Sequence, residues 1–272
     1  MHAFRAAIVV LCVGCGGSGR PVRIGPAAAH PTETEQAPTT QSAPTAPVGA
    51  RVRIIHAAIE ARDVRVSIVA DGAAASLVGP TGFQFASAYG ALTAGDHTLS
   101  VRDESHELIA ATLSLAEGSH TIVAFSTADF PVALAAVPDA TDEAPAEMAN
   151  VRLFHAIVGM GPIDLCLAPE GGRGDGHPLI AGVAPGTFGE PTGAYTGAHA
   201  GATLALQLRA RDATPCHGRA IGATSFTPAA GNSYTLVAVG RTRGRRAPIE
   251  LIFCADPPAA DTSCATLVVT AH

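Results

Sequence analysis

The chain has 272 residues, 47% of them hydrophobic and 15% charged, with a formal charge of −6 at neutral pH. That hydrophobic share excludes wholesale disorder, the length leaves room for two domains of about 100 residues each, and the mild negative charge excludes a general nucleic-acid binder, which needs a strongly basic surface. Every basic residue other than histidine is an arginine, so lysine chemistry, such as Schiff-base formation or a phosphate-loop ammonium, is excluded as well.

Residues 1–14 read as a lipoprotein signal peptide. Met1-His2-Ala3-Phe4-Arg5 gives a short basic start, and the apolar run from Ala6 to Gly14 is too short to span a bilayer but suits a signal core. Val13-Gly14-Cys15 matches the end of a bacterial lipobox, with Cys12 standing where leucine is more usual. The expected product carries a diacylated Cys15 that partners a membrane without any spanning helix. Gly16 stands where an aspartate would retain the protein at the inner membrane, which points to the outer one. Residues 15–49 begin with Gly16-Gly17-Ser18-Gly19 and continue rich in Pro, Thr and Ala with few large apolar side chains. Such a stretch buries too little apolar area to offset its ordering entropy, so a disordered tether is expected.

From Ala50 onward the hydrophobic period is close to two and the runs are short. Val52, Ile54 and His56 are predicted to share one face of a first strand, with Arg51, Arg53 and Ile55 on the other. Val64-Arg65-Val66-Ser67-Ile68 alternates and stops at the turn signal Asp71-Gly72. Further strands are expected at Thr98–Arg102, Leu113–Leu115, His120–Phe125 and Val132–Val137. The opening stretch Ala50–Ala57 then returns 99 positions later as Ala149–Ala156, and Ile163-Asp164-Leu165-Cys166-Leu167, Thr203–Leu208 and Gly231–Ala238 repeat the later strands in order. Internal repetition of this kind marks two copies of one folding unit. The expected fold is all-β: two tandem antiparallel β-sandwiches of immunoglobulin-like or transthyretin-like build, about seven strands each. The first spans 50–138, an acidic proline-bearing linker 139–148, and the second 149–272.

The opening strands Val52–Ala57 and Val151–Ala156, with Asp164 in Ile163-Asp164-Leu165, make the chain resemble the bacterial domain family DUF4397. Its members open with a strand of the form Val-Arg-Val-Val-His-Ala followed by a second strand that contains aspartate. The first copy departs from the pattern, with Arg65 at the place of Asp164. The resemblance covers residues 50 to about 256. It implies a β-sandwich and an envelope or extracellular location, and it implies no established activity.

Cys166, Cys216, Cys254 and Cys264 all fall in the second copy. An even number in an exported chain favours disulfides over a metal site, and no Cys-x-x-Cys spacing is present. Three pairings are open; Cys166–Cys216 with Cys254–Cys264 is favoured, the latter closing across a proline-bearing turn. His56 and His155 are kept by both copies and are the natural candidates for a catalytic or metal role. No carboxylate or second histidine repeats beside them, so the favoured role is structural, a half-buried ring bonding a loop backbone group. Arg241 to Arg246 reads as a solvated basic hairpin tip, and Arg173-Gly174-Asp175 as a chance tripeptide. No cofactor is expected. The functional expectation is a non-enzymatic lipoprotein, a surface or periplasmic binding module whose partner beyond the membrane is an envelope protein or polysaccharide. Its contacts would lie at an exposed aromatic patch around Phe83, Phe85 and Tyr89 or around Phe188 and Tyr195. The rivals are an enzyme or metal-dependent sensor using His56 or His155, and a structural spacer.

Overall fold

A computed structural model describes residues 49–73, 75–103, 106–139, 144–168, 176–189, 194–242, 247–256 and 264–269. The leader with Cys12 and Cys15, the tether to residue 48, Arg173-Gly174-Asp175, residues 243–246 and the middle of the linker lie outside them. Among the described residues no helix is long and apolar enough to cross a membrane.

The fold is all-β. The first module contains β1 (Ala50–Ala57), β2 (Val66–Ala70), β3 (Val78–Thr81), β4 (Gly90–Leu92), β5 (Gly95–Arg102), β6 (Glu107–Leu115), β7 (Gly118–Phe125) and β8 (Ala133–Pro138). The second contains β9 (Met148–Val158), β10 (Ile163–Leu167), β11 (His177–Val183), β12 (Thr196–His199), β13 (Leu204–Ala210), β14 (Ala220–Phe226), β15 (Ser233–Arg241), β16 (Ala247–Ala255) and β17 (Cys264–Val268). Strand order β4-β1-β7-β8 faces β3-β2-β5-β6 in the first module, and β12-β9-β15-β16-β17 faces β11-β10-β13-β14 in the second. The two orders match, with β17 added at one edge.

The predicted turn at Asp71-Gly72 has both residues at positive φ, the backbone that the Asp-Gly pair tolerates. One expectation is corrected: the sandwiches are not purely antiparallel. β1 pairs parallel with β7, placing Ile54 beside Ile122, and β9 pairs parallel with β15, placing Leu153 beside Leu236. Parallel strands are found where both faces of a sheet are covered, and that condition holds here. Val52, Ile54, Ile122 and Ala124 point into the core of the first sandwich, Leu153, Leu236 and Ala238 into that of the second. The opposite faces of the same strands meet in a third core, where Ile55, Val123 and Phe125 pack with Phe154, Val237 and Ile252. The result is four sheets stacked face on face, with the two middle sheets buried on both sides. The modules therefore share a core rather than hanging separately on a linker.

Both disulfides have the favoured pairing. Cys166–Cys216 ties β10 to the segment between β13 and β14, and Cys254–Cys264 joins directly opposed residues of β16 and β17 with Cα atoms 4.1 Å apart. Paired cysteines mark a non-cytoplasmic protein of envelope type, because cytosolic thiols are kept reduced.

Candidate functional site

Arg53, which alternation placed on the outer face of β1, and its counterpart Arg152 on β9 are both wholly buried between the modules. Each guanidinium reaches across to the other half. Arg53 donates to the Ala255 carbonyl at 2.6 Å and to the Asp256 carboxylate; Arg152 donates to the Pro138 carbonyl at 2.6 Å and to the Asp139 carboxylate. Each aspartate is held in place by its own module. Thr121 and Tyr89 donate to Asp139 at 2.6 and 2.7 Å, and Thr235 and Tyr195 donate to Asp256 at 2.8 and 2.6 Å. The threonines also accept from the arginine of their own strand pair, at 3.0 Å from Arg53 and 2.8 Å from Arg152.

Tyr195 stacks under Arg152 at 4.7 Å and Tyr89 under Arg53 at 5.3 Å. Burial pushes both phenols far above their usual range, so they stay protonated donors. Burial disfavours charge on Arg152, but Asp256, Tyr195 and Asp139 outweigh it and hold the guanidinium charged. Burying four charges is tolerable only when each is paired and its remaining donors are satisfied. Here the pairing is reciprocal. Asp139 opens the segment expected to be a linker, and it is instead part of the interface.

His56 and His155 lie at the far end of the same strands, and both are fully rather than half buried. The backbone N–H of Ala58 donates to Nδ1 of His56 at 3.3 Å, and that of Ile157 to Nδ1 of His155 at 3.1 Å. Nε2 of His56 lies 3.2 Å from the carbonyls of Ala61 and Val64, and Nε2 of His155 lies 2.9 Å from that of Gly161. These partners fix the neutral tautomer with hydrogen on Nε2. A second proton would set an N–H against an N–H, and burial itself lowers both pKa values. With both ring nitrogens committed to loop backbone, neither histidine is placed to ligate or transfer protons. Among the described residues no group of three or more His, Cys, Asp or Glu side chains could hold a metal ion.

A pH dependence follows. On unfolding, each imidazole regains an ordinary pKa near 6.5 and takes up a proton below it, while the folded form does not. Stability from these two sites is complete above pH ~6.5 and is lost as pH falls below it. His97 works in the opposite sense: its hydrogen bond from Nδ1 to Asp71, 2.7 Å long, raises its pKa, so its contribution is complete below that same unfolded value and fades as pH rises through the higher folded one. Thermal melts at pH 5 and 7.5 should show a smaller acid-side loss in His155→Gln than in the wild type. An equal loss would mean that His155 titrates normally in the fold.

Asp164 is fully buried. It accepts the Gly182 N–H at 2.7 Å, an Arg211 guanidinium at 3.0 Å and the Cys216 N–H at 2.9 Å, fastening the segment that carries Cys216. Of the two predicted aromatic patches, the second is absent as a surface. Phe188 is buried against Phe154 with centroids 4.8 Å apart, and Tyr195 is spent on Asp256. Arg241 of the basic tip pairs with Glu60 across the modules.

Of the first patch only Phe85 is exposed; Phe83 packs against the shared core, edge-on to His56 at 5.8 Å, and Tyr89 is half-buried. Where the second module has Asp164, the first has Arg65, exposed and donating to the Pro80 carbonyl at 3.0 Å. Beside it lies a solvent-open cleft of about 620 Å³ between β3 and the segment leading to β4. Its walls include Leu77, Pro80, Ser87, Tyr89 and Phe85, a residue 61% exposed. A smaller cleft in the second module, about 420 Å³, is lined by Phe226, Tyr234 and Phe253 and, among the described residues, by no charged side chain.

Residues 50–166 match the family model Domain of unknown function (DUF4397), through the whole first module and on into β9 and β10. Over that stretch the chain carries a DUF4397 domain. No curated protein matches it.

Proposed function

We propose that this chain is a non-enzymatic binding module of the bacterial cell envelope. It is held to a membrane, the outer in preference to the inner, by a diacylated Cys15. The cleft beside Phe85 is its contact site. One observation carries the reading: two halves share a strand order, yet where the second ties a carboxylate inward the first presents an exposed arginine, in a cleft that an exposed aromatic ring also lines. A spacer has no use for such a cleft, and loops on a rigid sandwich are where binding is usually carried.

A single preparation tests both parts. Cells expressing the protein with a photo-reactive benzoylphenylalanine at position 85 are fed labelled palmitate and irradiated. Label incorporation that Cys15→Ser abolishes, together with adducts at position 85 and none from the same probe at the exposed Thr112, supports the reading. Absence of adducts, or equal adducts at both positions, overturns the binding role. Label that persists in Cys15→Ser overturns the anchor.

A further inference from the structure

We infer that the cleft beside Phe85 receives a carboxylate-bearing sugar ring, the uronic-acid unit of an acidic polysaccharide; this rests on the binding-module reading above. Three features select that class. The first is charge. Among the described residues Arg65 is the one charged side chain that lines the cleft. It spends one guanidinium donor on the Pro80 carbonyl. The remaining donors of a planar fork suit a carboxylate. Arg51, exposed and 5.0 Å above the Tyr89 ring, adds a second positive charge near the rim.

The second feature is shape. The exposed Phe85 ring offers a flat apolar face without a polar atom, and the apolar C–H face of a pyranose packs on such a ring while its hydroxyls stay in water. Two of the other polar side chains along the wall are already committed. The Tyr89 hydroxyl donates to Asp139, and the Ser87 hydroxyl donates to the Ala88 carbonyl at 2.7 Å and accepts from the Ile54 N–H. Recognition rests on the Arg65 guanidinium in the wall, the Arg51 charge near the rim and one aromatic face. A small inorganic anion would use the cations and leave the ring idle.

The third feature weighs against a peptide. An extended peptide recognises a sheet edge through main-chain hydrogen bonds. The edge here is β3, only four residues long. Pro80 has no N–H, and its carbonyl is taken by Arg65. An edge so short and interrupted by proline is blunted against strand addition. The cleft is open at the surface, so a polymer can lie across it with one ring seated.

The test is titration calorimetry of the full chain with tetramers of galacturonate, glucuronate and mannuronate. Their carboxyl-reduced counterparts, inorganic phosphate and tetraglutamate serve as comparison ligands. The expected result is saturable binding of at least one uronate tetramer, with none of its reduced form. Arg65→Gln and Phe85→Ala should each weaken it by about tenfold or more. Both side chains are exposed, so melting temperatures should be unchanged, and that measurement separates lost contact from lost fold. Failure of all three uronates, equal binding of phosphate or tetraglutamate, or unaltered affinity in both variants overturns the inference. If adducts at position 85 persist while all uronates fail, the ligand class falls and the binding-module reading stands.

Discussion

Replacing Arg152 by methionine is expected to lower the unfolding free energy by about 3–5 kcal/mol in urea titrations at pH 7, the cost of removing one partner of a buried ion pair. The substitution leaves the Asp139 carboxylate inside the interface with only the hydroxyls of Thr121 and Tyr89 for company. The far oxygen of Asp256 sits 3.8 Å from Arg152 and loses part of its compensation as well. Arg53→Met should act by the same route through Asp256. A second substitution, Asp139→Leu on Arg152→Met, removes the stranded charge but also the acceptor that Tyr89 and Thr121 use, so it should restore only part of the loss. A change below about 1 kcal/mol in either single variant, the range of an exposed pair, would show that water enters this interface.

Phe154→Ala should cost a further class of energy, about 3–5 kcal/mol, because truncating a buried phenylalanine forfeits its transfer term and leaves a cavity. Phe154 touches Phe125 of the first module at 5.0 Å between centroids and Phe188 of its own at 4.8 Å. The cavity therefore belongs to both modules. Amide hydrogen exchange should show lost protection in β1 and β7 as well as in β9 and β15. Loss confined to β9 and β15 would mean that the middle sheets do not share a core.

The alternation in Ala50–Ala57 was enough to assign faces. Val52 and Ile54 do point into a sandwich and Arg53 and Ile55 away from it. What alternation cannot report is what lies on the far side. An arginine on an outward face reads as solvated, since arginine is almost never fully buried unless paired, and the partners that bury Arg53 stand some two hundred positions away. Strand direction was hidden for a related reason: a period of two is the same for parallel and antiparallel neighbours, so the β1–β7 and β9–β15 pairings left no mark. A usable signal did exist. Tyr89 and Tyr195, Thr121 and Thr235, and Asp139 and Asp256 each recur once per copy in the same order, as do the two arginines. Tracking recurring polar residues, and not only the apolar skeleton and the histidines, would have drawn attention to the network. The cleft was only partly legible. Residue type singles out Phe85 and Phe188 alike, and only the fold shows that Phe188 enters the core between the modules while Phe85 stays at the surface.

The reciprocal aspartates also bear on how such a chain can be inherited. A gene segment encoding one repeat alone would yield a product with an orphan cation on its first strand and an orphan anion at its last, each sealed by nothing. Once two ancestral copies had come to neutralise one another in this crosswise manner, losing either would have stranded the survivor. The second strand of each copy stands outside that lock: Arg65 is exposed in one and Asp164 is buried in the other.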